Sequence, residues 1–163
     1  MQTAPIPKNE QERLCALQGL KLLDTAIEER FDCITKKAVE RFAVPISTIT
    51  LVDKDREWFK SVQGLNQKEG PRDVSFCGHA IMSEVMMIVE DTLTDKRFFD
   101  NPMVKGQPNI RFYAGKSLYD WKSRLPVGVF CVKDFKPRQF SLQETADFLE
   151  LAVEAENEIN KKE

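Results

Sequence analysis

One histidine and four cysteines have the clearest claim to chemistry in this chain, and two of these residues stand two apart: Cys77 and His79, in the run Ser75-Phe76-Cys77-Gly78-His79-Ala80-Ile81. A thiol beside an imidazole can lose its proton, because imidazolium stabilises thiolate, and can then act as a nucleophile or as a metal or haem ligand. On a helix, positions two apart diverge by about 200°, so the pair converges only where the turn is irregular. The plainer reading makes Cys77 a small buried apolar residue and gives His79 a local hydrogen bond that holds its loop. Cys15, Cys33, Cys77 and Cys131 form no C-x-x-C pair. Reduced thiols are expected in a chain long enough to build a core without staples. With a single histidine, a His-rich catalytic zinc centre is excluded.

A second constellation is Arg111 and Tyr113, two apart in a run that reads as a strand and therefore on one face of it. A guanidinium fork and a phenol placed this way can grip an anionic or aromatic ligand. Alternatively, Arg111 pairs with an acidic neighbour such as Asp73 or Asp91 and pins a loop to the sheet. Phe98, Phe99, Asn101 and Pro102 have the composition of a pocket wall with a polar edge, or of the plug that fills the pocket. Met86 and Met87 read as core filler.

The elements that must position these residues are legible from punctuation and period. Asn9 before Glu12 and Thr25 before Glu28 have capping-box spacing, so two helices are expected in the first third. The second carries the stripe Ile27, Phe31, Ile34, Ala38 and Phe42, with Pro45 as its stop. From Ile46 to Gln63 the period becomes two, interrupted by Asp53-Lys54-Asp55-Arg56, which predicts two antiparallel strands. Residues 64–107 are irregular, with a short helix within Val74–Ser83 and a short strand over Met86–Val89. Strands are expected at Ile110–Leu118 and Val127–Asp134, the first turning Ile110, Phe112 and Ala114 to the terminal helices and Arg111 to the irregular segment. Ser141 and Glu144 then cap a last helix with the face Leu142, Ala146, Leu149, Ala152 or Val153, and Ile159. This order predicts an α+β domain, 1–163, with helices 9–43, a sheet and pocket segment 45–134 and a final helix 141–160.

Composition narrows the function. The chain has 163 residues, 42% hydrophobic and 31% charged, and 24 Lys plus Arg against 26 Asp plus Glu leave a net charge of −2. That is no nucleic-acid footprint. The longest uncharged stretch, Phe42–Val52, has 11 residues, short of the ~20 needed to span a bilayer as a helix. Met1–Pro7 has no basic flank or apolar core of a leader, so a cytoplasmic protein is expected. The seven glycines form neither a dinucleotide nor a P-loop pattern.

Read in series, Leu22-Leu23-Asp24-Thr25, Glu29-Arg30-Phe31-Asp32, Val44-Pro45-Ile46, Leu51-Val52-Asp53, Trp58-Phe59-Lys60-Ser61, Pro71-Arg72-Asp73, the run from Ser75 to Ile81, Asp100-Asn101-Pro102 and Ile110-Arg111-Phe112-Tyr113-Ala114-Gly115 resemble bacterial signalling GAF domains over residues 11 to 160. The resemblance implies a central antiparallel sheet of about six strands. The terminal helices would lie on one face, and the irregular middle would fold over the other as a lid enclosing a pocket. The hairpin Tyr119–Arg124 departs from the family pattern.

Family members sense small ligands or pass dimer geometry to an output domain, and here the chain ends just after the last helix. The resulting expectation is a free-standing, non-catalytic sensory domain that binds an unidentified small molecule through Arg111, Tyr113, His79, Cys77, Phe98 and Asn101. It would act as a homodimer or through a signalling partner, with no nucleic acid, membrane or assigned cofactor. One alternative is a thiol-based enzyme resembling free methionine sulfoxide reductases, with Cys77 and Cys131 as its pair. The other is a ligand-free dimerisation module whose pocket is plugged.

Overall fold

The computed structural model describes residues 1–162. Its elements are α1 (Glu10–Gly19), α2 (Glu29–Phe42), β1 (Ile46–Val52), β2 (Arg56–Gln63), β3 (Glu69–Pro71), α3 (Phe76–Ala80), β4 (Met87–Val89), a 3-10 turn (Thr92–Thr94), α4 (Pro102–Lys105), β5 (Phe112–Tyr119), β6 (Pro126–Asp134) and α5 (Leu142–Asn160). Six strands form one sheet in the order β3-β2-β1-β6-β5-β4. All its pairings are antiparallel, because hairpins rather than helices join β1 to β2 and β5 to β6. This is the α+β architecture expected from the sequence.

Alternation along the central strands sorts side chains onto two buried faces. Ile49 and Leu51 of β1, with Phe130 and Val132 of β6, meet α1, α2 and α5 in one core. Ile46 and Val52, with Val129 and Cys131, meet the irregular segment in a second. On the helical side Phe130 stacks on Phe148 at 4.9 Å, and Phe42 and Phe140 complete an aromatic cluster.

Three sequence expectations are corrected. Asn9 makes no side-chain cap, since its backbone (φ −100°, ψ 31°) lacks the extended geometry a cap needs. Thr25 does not cap α2. Its hydroxyl donates to the Leu22 carbonyl at 2.5 Å and accepts from the buried Lys60 ammonium at 2.7 Å, so the helix starts only at Glu29 and Ile27 is 78% exposed. On α5 the buried face is Phe148, Leu151, Ala152, Ala155 and Ile159, whereas Leu142, Leu149 and Val153 point outward. Two apolar stripes run along this helix, and the stacking partner Phe130 selects the one that contains Phe148.

Helix α1 is tied across the sheet by charge. Glu10 accepts from Arg13 at 2.8 and 2.9 Å and from Arg72 at 3.2 Å, and Arg72 also donates to the Asp53 carbonyl at 3.0 Å. Partial burial pushes the Glu10 carboxyl up, but the hydrogen bonds from Arg13 and Arg72 outweigh it and hold the group at about 2.

Candidate functional site

The lid owes its shape to local hydrogen bonds. Ser75 starts α3 by accepting from the Gly78 amide at 2.9 Å while its hydroxyl donates to the Arg72 carbonyl at 2.7 Å. Asn101 caps α4 through the Met103 amide, 2.9 Å, and its amide nitrogen donates to the Val74 carbonyl, 2.9 Å, joining two parts of the lid. Phe98 stacks on Phe76 at 4.4 Å, and Phe76 stacks on Tyr113 of the sheet at 5.1 Å. Phe98 thus fills the space between lid and sheet.

Beneath these rings lies a chain of polar side chains, all fully buried. The Tyr113 hydroxyl donates to Cys77 Sγ at 3.2 Å, and Cys77 Sγ faces Cys131 Sγ at 3.9 Å. Cys131 Sγ lies 3.0 Å from Thr48 Oγ1, which lies 2.7 Å from Thr50 Oγ1. The reach of Tyr113 depends on Gly115, where a Cβ would stand 2.3 Å from the phenol oxygen. Lys133 and Glu57 are buried on the same face, the ammonium 5.8 Å from the Phe76 ring centroid and the carboxylate with Oε2 unpartnered.

The electrostatics divide the two thiols. Burial pushes Cys77 up, and its contact with Cys131 pushes it further. Burial also acts to raise Cys131, but the Cys77 hydrogen bond, the Lys133 charge and the Thr48 hydroxyl together bring it below the ordinary thiol value. Burial raises the Glu57 carboxyl, offset in part by Lys133. Desolvation acts to lower Lys133, yet Glu57 and the two sulfurs leave it raised.

Of the residues singled out from sequence, the structure brings Cys77, Tyr113, Phe98 and His79 into one buried layer. Cys77 and His79 do not converge: the thiol faces the sheet, while His79 meets the Phe98 ring edge-on at 4.8 Å and the Gln2 carbonyl oxygen at 3.1 Å. Burial lowers the imidazole's pKa. Asn101 is a cap rather than a wall.

Arg111 does not join Tyr113 in the buried layer, and of the two sequence readings the pairing with an acidic neighbour is the one made. Strand β5 begins at Phe112, one residue after Arg111. Its guanidinium is 30% exposed and pairs with Asp91 at 3.1 and 3.2 Å. Ile110, which precedes the strand, packs in the lid core and not with Phe112 and Ala114 as expected. Sequence reading missed Thr48, Thr50, Glu57 and Lys133. The signal was the period of two itself, which puts Lys133 on the face of Val129 and Cys131.

A further concavity, an open cleft of about 1610 Å³, lies at the end of the helical layer among α1, the Trp121 hairpin and the end of α5. Among the described residues no cluster of His, Cys, Asp and Glu could hold a metal ion, and no helix is long and apolar enough to cross a membrane.

No family model matches the chain. It is 40% identical over 138 residues to a cyclic di-GMP phosphodiesterase of Pseudomonas aeruginosa, a match that takes in 85% of this chain but 23% of that protein. The expectation of a non-catalytic protein is thereby overturned, because a protein with a segment 40% identical to this chain is named for an enzymatic activity. Among solved structures, the chain is similar to the GAF domain of a phosphoenolpyruvate-protein phosphotransferase from Coxiella burnetii, with 14% identity, 93% of this chain and 95% of that one covered, and a TM-score of 0.66. It is also similar to free methionine-R-sulfoxide reductase from Neisseria meningitidis, with 19% identity, 92% and 89% covered, and a TM-score of 0.62. A six-stranded antiparallel sheet with helices on one face and a lid on the other, superposing on such structures over nine-tenths of its length, gives this chain the GAF-type fold.

Proposed function

We propose that this chain is the sensory unit of a protein acting in cyclic di-GMP turnover, and that it takes up a small polar molecule between the sheet and the lid of residues 64–110. The likeness to the Pseudomonas phosphodiesterase supports the setting. The observation that carries the binding is the charge under the lid: Glu57 is buried with Oε2 unpartnered, on the face that also buries Lys133. An unsatisfied buried carboxylate oxygen is costly, and a ligand donor facing it removes the cost. A molecule with a donor for Glu57 and an acceptor for Lys133 meets that need.

In this reading Tyr113, Cys77, Phe98 and His79 wall the ligand, while Asn101 and the Arg111–Asp91 pair hold the lid's rim. Because Phe98 occupies the space, uptake is coupled to displacement of the 98–102 segment, and a ligand drives that only by differential affinity for the two lid positions. The output is read through α5, whose outward Leu142, Ala146, Leu149 and Val153 recur at steps of four, three and four and form a stripe suited to a second copy.

A thermal-shift panel of nucleotides including cyclic di-GMP, amino acids and haem tests the reading. One compound is expected to raise the midpoint, with about 2.7 kcal/mol of stabilisation at a hundredfold excess over Kd. Glu57→Gln or Lys133→Met is expected to abolish the shift. A flat response across the panel by the unsubstituted protein overturns the proposal.

A further inference from the structure

We propose that Cys77 and Cys131 form a reversible oxidation site in which a small hydroperoxide drives a disulfide between the lid and the sheet. The inference rests on the thiol geometry and is independent of the ligand reading. The two sulfurs face each other at 3.9 Å from different elements, α3 of the lid and β6 of the sheet. A disulfide bond is about 2.05 Å long, so closure requires about 2 Å of approach, within the reach of side-chain rotation and a small movement of the short helix α3.

The surroundings distinguish this pair from inert buried thiols. A cysteine in purely apolar surroundings keeps its proton. Around Cys131, the Thr48 hydroxyl lies at 3.0 Å, the Cys77 thiol faces the sulfur, and Lys133 stands two residues along the same strand face. The sulfur of Cys131 is therefore the one set up to carry negative charge, and its lowered pKa agrees. Cys77, with the Tyr113 hydroxyl on its sulfur, is the resolving thiol.

In the first step the Cys131 sulfur attacks one peroxide oxygen. An S–O bond forms, the O–O bond breaks, and the departing oxygen takes up the proton released by the Cys131 thiol, so that hydrogen peroxide yields water. Sulfur is oxidised by two electrons to the sulfenic acid and the peroxide is reduced. In the second step Cys77 attacks the sulfenic sulfur, the S–S bond forms, the S–O bond breaks, and hydroxide leaves with the Cys77 proton as a second water. A thiol reductant restores both thiols. Because both sulfurs are fully buried, the oxidant must be small and neutral and must enter when the lid opens locally.

Cys15, which is exposed, and Cys33 serve as internal references. The test is non-reducing peptide mapping by mass spectrometry of the full chain after graded hydrogen peroxide. The expected product has lost two hydrogens, joins the Cys77 and Cys131 peptides, and reverts with dithiothreitol. Cys77→Ser is expected to stop at a Cys131 sulfenic acid that dimedone traps. Oxidation of Cys15 and Cys33 with Cys77 and Cys131 still reduced, or a disulfide joining either of the first two cysteines to the pair, overturns the proposal. The mapping of the unsubstituted chain decides this even if Cys77→Ser does not fold.

Discussion

Glu10 joins three parts of the chain through two buried arginines, and it should set the protein's response to acid. Its carboxyl is held at about 2 in the fold against an ordinary value near 4.5. The unfolded chain therefore takes up this proton first as pH falls. The stabilisation is complete above pH 4.5 and drains away as pH drops through the folded value near 2. Urea midpoints measured from about pH 5 to pH 2 should fall, and Glu10→Gln should remove part of that slope while lowering stability at neutral pH. A slope unchanged in the variant would assign the acid response to other carboxylates. Lys60 shows the opposite use of a buried charge: its ammonium gathers Thr25, the Ala26 carbonyl and Glu28, and so decides where α2 begins. Such a long-range partner leaves no trace in local spacing.

At the scale of elements, α5 shows what a sequence can and cannot announce. Its start was legible because both halves of the capping box are made: the Ser141 hydroxyl accepts from the Glu144 amide at 3.1 Å and Glu144 accepts from the Ser141 amide at 3.2 Å. Ser141→Ala should cost about 1 kcal/mol in chemical denaturation with the helical spectrum retained. The buried face was not legible, since both of its stripes have helical period and only the aromatic partners across the sheet choose between them. The four long strands are readable from alternation, and the short helix α3 and the short strand β4 from their apolar runs, but β3 is not, since Glu69–Pro71 offers no apolar alternation. The grouping of Cys77, Tyr113, Phe98 and His79 is foreshadowed, as is the alternative pairing of Arg111 with Asp91, whereas Ile110 is misplaced by carrying the alternation back beyond the first residue of the strand. Cys77 and Cys131 are named as a pair from sequence, but Thr48 and Thr50 beside them go unread because they look like ordinary strand residues.

For the whole molecule, the sheet is enclosed on both faces, so in the proposed sensory role a signal would leave through helices or lid. The outward stripe of α5 carries a direct expectation. If it pairs two copies, sedimentation equilibrium should give twice the chain mass, and Leu149→Glu with Val153→Glu should return a single chain without loss of helix content. A single chain in the unsubstituted protein would remove the dimer from the proposed signalling route. The double substitution spares the core because neither side chain belongs to it, Leu149 being 37% and Val153 59% exposed.

The sheet's two margins are β3 and β4, three residues each, and β3 ends in Pro71, which has no amide hydrogen to offer. Short borders of this kind give a neighbouring molecule little backbone to zip onto. Crowded copies are accordingly discouraged from merging into a continuous ribbon, and self-association is steered to side-chain surfaces, where a single charge can tune or cancel it.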